Sequence, residues 1–214
     1  RPRIDDELLR RYHGGLIALS GCLSGRIPTL LLARRYDDAR SAALYYQDLF
    51  GPGNFFLEVQ DHGLPEQKEL LNRLVELSQV TGIGLVASND AHYLRRDDAE
   101  AHEILLCIQT GRTVQDADRM RFDSDEFYLK SPQEMCERFA QLPEALENTL
   151  RIAERCNVEI RFGEMQLPRY QLPPGYDAPS YLRELCAEGM TQRYPAGPSE
   201  EVRERTDYEL SIIN

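Results

Sequence analysis

Short apolar runs alternate with helix-like patterns through the first half of the chain. Three runs predict strands buried in a sheet, at residues 15–20, 55–60 and 83–87. Each run is followed by apolar positions at helical spacing, in residues 36–50, 65–79 and 97–109. Strands that alternate with helices favour a parallel sheet or an α/β barrel with right-handed crossovers. The pattern therefore predicts an α/β fold.

The pattern changes after Thr110, where one short predicted strand at residues 127–130 is followed by helices. Ser131 and Glu134 have the spacing of a capping box, and Pro132 stands at the first helical position, so a helix is predicted to begin there. Further helices are predicted over residues 143–156, 179–193 and 199–213.

Three of the twelve prolines lie in residues 163–178, which predicts a linker or surface arm. We place a domain boundary near Phe162, so that a domain over residues 1–162 precedes the linker and a helical segment over residues 179–214 follows it. Arg1 is not an initiator methionine, and the last residues stop inside a helical pattern without a cap. We therefore expect a piece of a longer protein.

The composition is that of an ordinary soluble globular protein, with 42% hydrophobic and 29% charged residues in 214. A net charge of −11 argues against this chain alone gripping a nucleic-acid backbone, because phosphate contacts need clustered Lys and Arg. No apolar stretch reaches the roughly 20 residues of a membrane span, and no signal segment is recognisable. We expect a cytoplasmic protein with no membrane partner. The five cysteines form no CxxC pair, which argues against a zinc ribbon or a disulfide framework.

Side chains that can bind a metal follow the predicted strands. Asp90 and His92 come after the third run, and a carboxylate beside an imidazole is a usual pair of metal ligands. Cys22 comes after the first run. Because parallel strand ends meet at one sheet edge, these residues are candidate ligands of Zn²⁺ or Mn²⁺. The alternative is that Asp90 caps a turn, His92 is a polar residue leaving the strand, and Cys22 is a small buried thiol.

Glu58 and His62 are secondary candidates for the same site. Glu58 lies inside the second predicted strand and should point into the core or barrel interior, where a carboxylate needs a metal or a salt-bridge partner. His62 lies in an Asp-His-Gly turn and is more simply explained as a turn residue hydrogen-bonded to its own backbone. A metal at such a cluster would acidify a bound water and neutralise an anionic substrate, as in metal-assisted phosphoester hydrolysis.

Five motifs together resemble one known family. They are LSGCLSG at 19–25, FLEVQDHGLPEQ at 56–67, ASNDAHY at 87–93, AHEILLCIQTG at 101–111 and DEFYLKSPQEM at 125–135. As a set they are similar to the second half of the PHP (polymerase and histidinol phosphatase) domain of the bacterial DNA polymerase III alpha subunits, the replicative C-family DNA polymerases. The similarity continues to the final YELSIIN, which resembles the helix leading into the polymerase palm. It covers essentially the whole chain.

The resemblance implies part of a distorted (β/α)7 barrel whose strand ends hold up to three metal ions, followed by the helical start of the palm. Cys22 matches the His or Cys ligand of the family's third motif, and Asp90 with His92 matches the Asp-x-His of the fourth. The first two motifs, which include a His-x-His pair, are expected upstream of Arg1. The polymerase catalytic aspartates are expected downstream of Asn214, so no residue of this chain is predicted to catalyse polymerisation.

For the parent protein, the resemblance implies a DNA-directed DNA polymerase, a nucleotidyltransferase that uses Mg²⁺, dNTPs and a DNA primer-template. It also implies replisome partners, namely a proofreading exonuclease subunit, a sliding clamp and a clamp loader. The PHP part would hold Zn²⁺ or Mn²⁺ and have 3′ to 5′ exonuclease activity or a scaffolding role.

Two alternatives stay open at this point, a non-catalytic structural module for a proofreading exonuclease and a free-standing metal-dependent PHP phosphatase. The arm at residues 163–178 and the helices after it argue against the phosphatase, since a compact phosphatase would not need them.

Overall fold

The computed structural model describes residues 4–163, 167–168 and 170–213, and these form two compact units that divide after Val158. The predicted linker falls partly outside the described residues, at positions 164–166 and 169. The first three residues and the last residue of the predicted domains also lie outside them.

The first unit alternates helices and strands. Its strands are β1 (Ala18–Leu19), β2 (Phe55–Val59) and β3 (Leu85–Ala87). Its helices are α1 (Asp6–Tyr12), α2 (Arg26–Leu32), α3 (Tyr36–Phe50), α4 (Pro65–Thr81), α5 (Ala99–Thr110), α6 (Pro132–Arg138) and α7 (Pro143–Arg155), with a 3-10 turn over Arg96–Asp98 before α5. The predicted α/β class is confirmed.

The three strands form one parallel sheet in the order β1-β2-β3. Within the described residues this small sheet is all that is seen of the predicted seven-stranded barrel, so the barrel stays a prediction. Strand β1 is shorter than the predicted run because a turn at residues 14–15, closed by the hydrogen bond from Leu16 N to the His13 carbonyl at 3.1 Å, takes up the start of that run. Strand β2, between its neighbours, is buried on both faces, as the adjacent residues Phe56 and Leu57 show.

The core lies between this sheet and the helices that pack on it. Helix α3 contributes Ala39 and Ala43, and helix α4 contributes Leu74 and Leu77. Helix α7 packs against β3, and there the buried Asn148 donates a hydrogen bond from Nδ2 to the Leu85 carbonyl at 2.7 Å. Burial of each large apolar side chain contributes about 1.5–3 kcal/mol, so the core fixes the directions in which the strand ends point.

The strand predicted at residues 127–130 is wrong. Tyr128 makes only an isolated parallel bridge with Tyr93, and the Lys130 ammonium turns inward to the Glu126 backbone carbonyl. The physical reason is that the partner segment bends on both sides of Tyr93, at His92 and at Leu94, so the pairing cannot continue into a ladder. The bridge still has an effect, because Leu129 N donates to the Tyr93 carbonyl at 3.0 Å and so ties the segment after β3 in place.

The second unit contains the two helices predicted for it, α8 (Ala178–Arg193) and α9 (Glu200–Ile213). Asp177 caps α8 by accepting a hydrogen bond from Ser180 N at 2.9 Å. Leu210 of α9 is buried. Among the residues that the structure describes, no helix of either unit combines the length and apolar character needed to cross a membrane.

Candidate metal site at the strand ends

Asp90 and His92 lie just after β3 and face each other. Asp90 has φ of +40°, the left-handed region, which Asp tolerates better than most residues. The backbone N of His92 donates to the Phe127 carbonyl at 2.7 Å. As a result, the Asp90 Oδ1 and His92 Nε2 atoms are 3.4 Å apart, and each side chain is 37% exposed.

This spacing fits two ligands of one divalent ion. A nitrogen and an oxygen bound to Zn²⁺ at about 2.0–2.2 Å with tetrahedral angles would themselves be about 3.4 Å apart. The donor types suit Zn²⁺ or Mn²⁺ better than Ca²⁺, which prefers oxygen ligands. Partial exposure leaves the pair reachable from solvent. Asp90 and His92 can therefore supply two positions of a metal site.

Asn89, which precedes the pair, is held on two sides. Its carbonyl accepts a hydrogen bond from His62 Nε2 at 2.6 Å, and its Nδ2 donates to the Tyr128 carbonyl at 2.7 Å. Asn89 was not singled out in the sequence, although its place beside Asp90 in ASNDAHY was a usable signal. It fixes the backbone from which Asp90 projects.

His62 is 1% exposed, and protein groups occupy both of its ring nitrogens. Because the Asn89 carbonyl can only accept, Nε2 carries the proton, and Nδ1 accepts from Gln67 Nε2 at 2.9 Å. Gln67 also accepts from the His62 backbone N at 2.7 Å, and the His62 ring stacks on Phe127 at 4.1 Å. Burial lowers the pKa of His62. His62 is thus a buried neutral histidine, and its partners include a helix side chain that sequence reasoning missed.

Glu58, the other secondary candidate, is hydrogen-bonded through one carboxylate oxygen, Oε1. Its carboxylate accepts hydrogen bonds from Ser88 Oγ and from Gln60 Nε2, the latter at 3.0 Å. For Oε1, a hydroxyl and an amide therefore take the place of the metal or salt-bridge partner that was predicted. Glu58 borders a small cavity, and Cys22 borders the same cavity.

Cys22 lies in a tight turn after β1. Gly21 has φ of +81°, and a Cβ at Gly25 would overlap the Ser20 carbonyl oxygen, so the turn needs glycine at both places. The Cys22 Sγ atom is 3.3 Å from Ser24 Oγ, and the residue is half-buried.

The structure thus forms two groupings, Asp90 with His92 and Cys22 with Glu58. Across residues 4–163, 167–168 and 170–213, no three His, Cys, Asp or Glu side chains are gathered closely enough to hold a metal ion. A ligand set that combines Cys22 with Asp90 and His92 stays a prediction.

Aromatic rings surround His92. Its ring is 4.7 Å from Phe122, 5.7 Å from Phe127 and 5.5 Å from His102, centroid to centroid. The pKa of His102 is lowered by burial and by the neighbouring His92. Phe122 and His102 also line a cavity of about 430 Å³, whose wall carries Glu100, Glu103, Asp123 and Asp125. The candidate pair therefore lies beside an aromatic cavity with an acidic rim.

Comparison with known proteins gives one consistent result. Residues 1–62 match the PHP domain family. The chain is 47% identical to the DNA polymerase III subunit alpha of Treponema pallidum and 45% identical to that of Borreliella burgdorferi, over 100% of its own length and 18% and 19% of theirs. It is 46% identical to the DNA polymerase III subunit alpha of Thermus aquaticus over 91% of this chain and 16% of the relative.

The resemblance drawn from the five motifs is confirmed by these matches. The chain spans less than a fifth of the length of the curated relatives it matches. The part of the first unit after residue 62 lies beyond the PHP family match.

Proposed function

We propose that this chain is a segment of a DNA polymerase III alpha subunit, a replicative DNA-directed DNA polymerase. The observation that carries the proposal is similarity at 47% identity over 100% of the chain, which includes the linker and helices after the first unit. A free-standing PHP phosphatase would account only for the first unit.

Within the parent protein, the segment contributes part of a PHP domain built as a distorted (β/α)7 barrel over residues 1–162. Residues 163–178 form the linker, and residues 179–214 begin the palm region. Polymerisation itself is the task of residues outside this chain, with Mg²⁺, dNTPs and a primer-template. The proofreading exonuclease subunit, the sliding clamp and the clamp loader are the proposed partners, and the cytoplasm is the proposed location.

Asp90 and His92 are the proposed ligands of Zn²⁺ or Mn²⁺, with Cys22 as a further ligand. Their 3.4 Å separation supports the pair. The ion, when bound, supplies an acidified water and neutralises phosphate charge. Phe122 and Phe127 pack against the His92 ring and limit its rotation. Such a site suits 3′ to 5′ hydrolysis of a frayed single strand, because an acidic chain offers a duplex little attraction.

The full-length polypeptide that carries this chain tests the proposal. Purified with Mn²⁺ or Zn²⁺, it should extend a primer and degrade single-stranded 3′ ends. The double substitution Asp90→Asn with His92→Ala should reduce degradation at least about 100-fold, because two metal ligands are lost, and leave primer extension in place.

Asp61→Asn is the matched control, since it changes an aspartate at the neighbouring strand end, and it should retain both activities. Unchanged degradation in the double variant would place the nuclease elsewhere. A wild-type protein unable to extend a primer would contradict the polymerase assignment.

A second candidate role, a structural module that serves the proofreading exonuclease, is supported by Glu58 and His62. Both ring nitrogens of His62 are engaged by protein groups, and Oε1 of Glu58 accepts two protein hydrogen bonds. In that role the metal stiffens the fold, so chelation would lower the thermal stability of a protein that has no nuclease activity to lose.

A further inference from the structure

We propose that His62 is a positioning residue for the metal site, and that with Gln67 it fixes the Asn89 peptide so that Asp90 and His92 stay at ligand spacing. The inference rests on the proposed function and assigns His62 a different role from that of a ligand. It follows from three features of the structure: the saturated ring, the backbone at Asp90 and a shared aromatic contact.

The first feature is that His62 is locked in place. Gln67, in the first turn of α4, binds both the backbone N and the Nδ1 of His62, at 2.7 and 2.9 Å. The His62 carbonyl accepts from Ser124 Oγ at 2.6 Å. A metal at either ring nitrogen would break a buried hydrogen bond, which costs about 1–3 kcal/mol for the group left unpaired. The arrangement therefore favours a rigid donor over a ligand.

The second feature is the backbone at Asp90. A left-handed conformation at a non-glycine residue costs about 1–2 kcal/mol and persists only where the surroundings hold it. His62 Nε2 holds the Asn89 carbonyl at 2.6 Å, one residue before Asp90. The Asn89 side chain is tied to the Tyr128 carbonyl on the other side. The peptide that aims Asp90 is thus fixed by a histidine from the neighbouring strand end.

The third feature is that Phe127 contacts both histidines. Its ring stacks face to face on His62, with an interplanar angle of 7°, and meets His92 edge to face at 83°. Its carbonyl accepts the hydrogen bond from His92 N. Loss of the His62 ring would remove the surface on which Phe127 rests and so loosen His92. Both members of the candidate pair depend on His62, each by a separate route.

Mn²⁺ binding to the full-length polypeptide tests the proposal. The relevant site is the one whose binding disappears in the Asp90→Asn with His92→Ala variant, measured by calorimetry or by the electron paramagnetic resonance of free Mn²⁺. We expect His62→Leu to weaken Mn²⁺ binding at this site about 10- to 100-fold, the range typical for partners that orient metal ligands. Gln67→Leu keeps the His62 ring but removes its hydrogen-bond partner, and it should weaken Mn²⁺ binding about tenfold. His62→Gln should bind Mn²⁺ more tightly than His62→Leu, because an amide can still donate to the Asn89 carbonyl.

The matched control is Asn148→Leu. Asn148 is also buried and also donates to a backbone carbonyl of β3, but at Leu85, where the strand begins. Its loss should lower thermal stability while Mn²⁺ affinity stays within about twofold of the wild-type value. Equal losses of affinity in Asn148→Leu and His62→Leu would reduce the effect to general destabilisation and overturn the proposal.

Co²⁺ substitution separates positioning from ligation. At saturating Co²⁺, the absorption bands of His62→Leu should match those of the wild type, because the ligand set is the same. A changed band pattern would make His62 a ligand and overturn the proposal. Wild-type affinity in both His62→Leu and Gln67→Leu would overturn it while leaving the metal site intact, whereas a wild-type protein that binds no Mn²⁺ would overturn the metal site as well.

Discussion

The ends of β2 and β3 carry nearly the same residues but use them in opposite ways. Asp61 and His62 follow β2, and Asp90 and His92 follow β3. At the β2 end, the Asp61 Oδ1 atom lies 3.5 Å from Arg138 Nη1 and accepts a hydrogen bond from Gly63 N at 2.9 Å. His62 is buried, and its ring is hydrogen-bonded to Asn89 and Gln67. At the β3 end, Asp90 and His92 are partly exposed and face each other.

The difference shows that residue type at a strand end does not decide function. The β2 end lies against the first turn of α4, which supplies Gln67 as a partner for His62. The β3 end enters the segment before α5, where the left-handed turn at Asp90 directs two donors at one point. The side chains at the β2 end thus stabilise the structure, and those at the β3 end remain available as donors. Three sets of substitutions can break or sharpen this comparison.

The largest expected effect is on folding stability. His62→Ala should lower the free energy of unfolding by about 3 kcal/mol, because it leaves a cavity and strips buried partners from Asn89 and Gln67. His92→Ala, at a partly exposed site, should cost less than about 1 kcal/mol. Urea denaturation of both variants beside the wild type measures the difference. Similar costs for the two histidines would remove the distinction between the strand ends.

Helix bounds were largely predictable because their signals are local. Helix α3 covers the predicted residues 36–50, and α4 begins at the predicted Pro65. The Ser131–Glu134 capping box forms as its spacing predicts. Helices α1 and α2 were missed although α1 carries a signal, the Asp5 carboxylate that accepts from Leu8 N at 2.9 Å. Both helices are only seven residues long, too short for a clear apolar period.

Strands and site contacts were less predictable because they depend on distant partners. The run at 127–130 has strand-like residues, yet only Tyr128 finds a bridge partner. Asp90 and His92 are only two positions apart, but their side chains meet through the left-handed backbone at Asp90, which the sequence pattern did not predict. The bond from His62 to Asn89 spans 27 positions, so no local pattern could reveal that His62 serves the other strand end. Only the packed sheet brings these residues together.

The second prediction concerns pH. Burial is the main cause that lowers the pKa of His62, with Lys130 acting in the same direction, while the Asn89 carbonyl and Asp90 oppose them. The unfolded chain therefore binds a proton at this site at a higher pH than the folded chain does. The contribution of neutral His62 to folding stability is complete above its pKa in the unfolded chain, about 6.5. It is lost as the pH falls toward the lower pKa of the folded state.

The loss should approach at most about 1.4 kcal/mol per pH unit within that window. Unfolding free energies of the wild type and of His62→Gln, measured from pH 7.5 to 5, isolate this contribution because the other titrating groups are common to both. The difference between the two proteins should shrink as the pH falls. A difference that is constant with pH would show that His62 titrates alike in the folded and unfolded states.

The smallest expected effect concerns the backbone beneath each aspartate. Asp90→Ala should be about 1 kcal/mol less stable than Asp90→Gly, because alanine is strained at φ of +40° and glycine is not. Among the described residues, Asp61 is not one of those with positive φ, so the order should reverse there, with Asp61→Gly the less stable by about 0.5–1 kcal/mol.

Denaturation midpoints of the four variants measure both differences, and Mn²⁺ binding by the same proteins separates conformation from ligation. Asp90→Gly and Asp90→Ala should both lose Mn²⁺ affinity, since each lacks the carboxylate whatever its backbone. The Asp61 pair should keep that affinity, because its carboxylate is engaged with Arg138. If Asp90→Ala proved as stable as Asp90→Gly, the turn would relax without cost, and the role of Asn89 and His62 in holding it would lose its energetic basis.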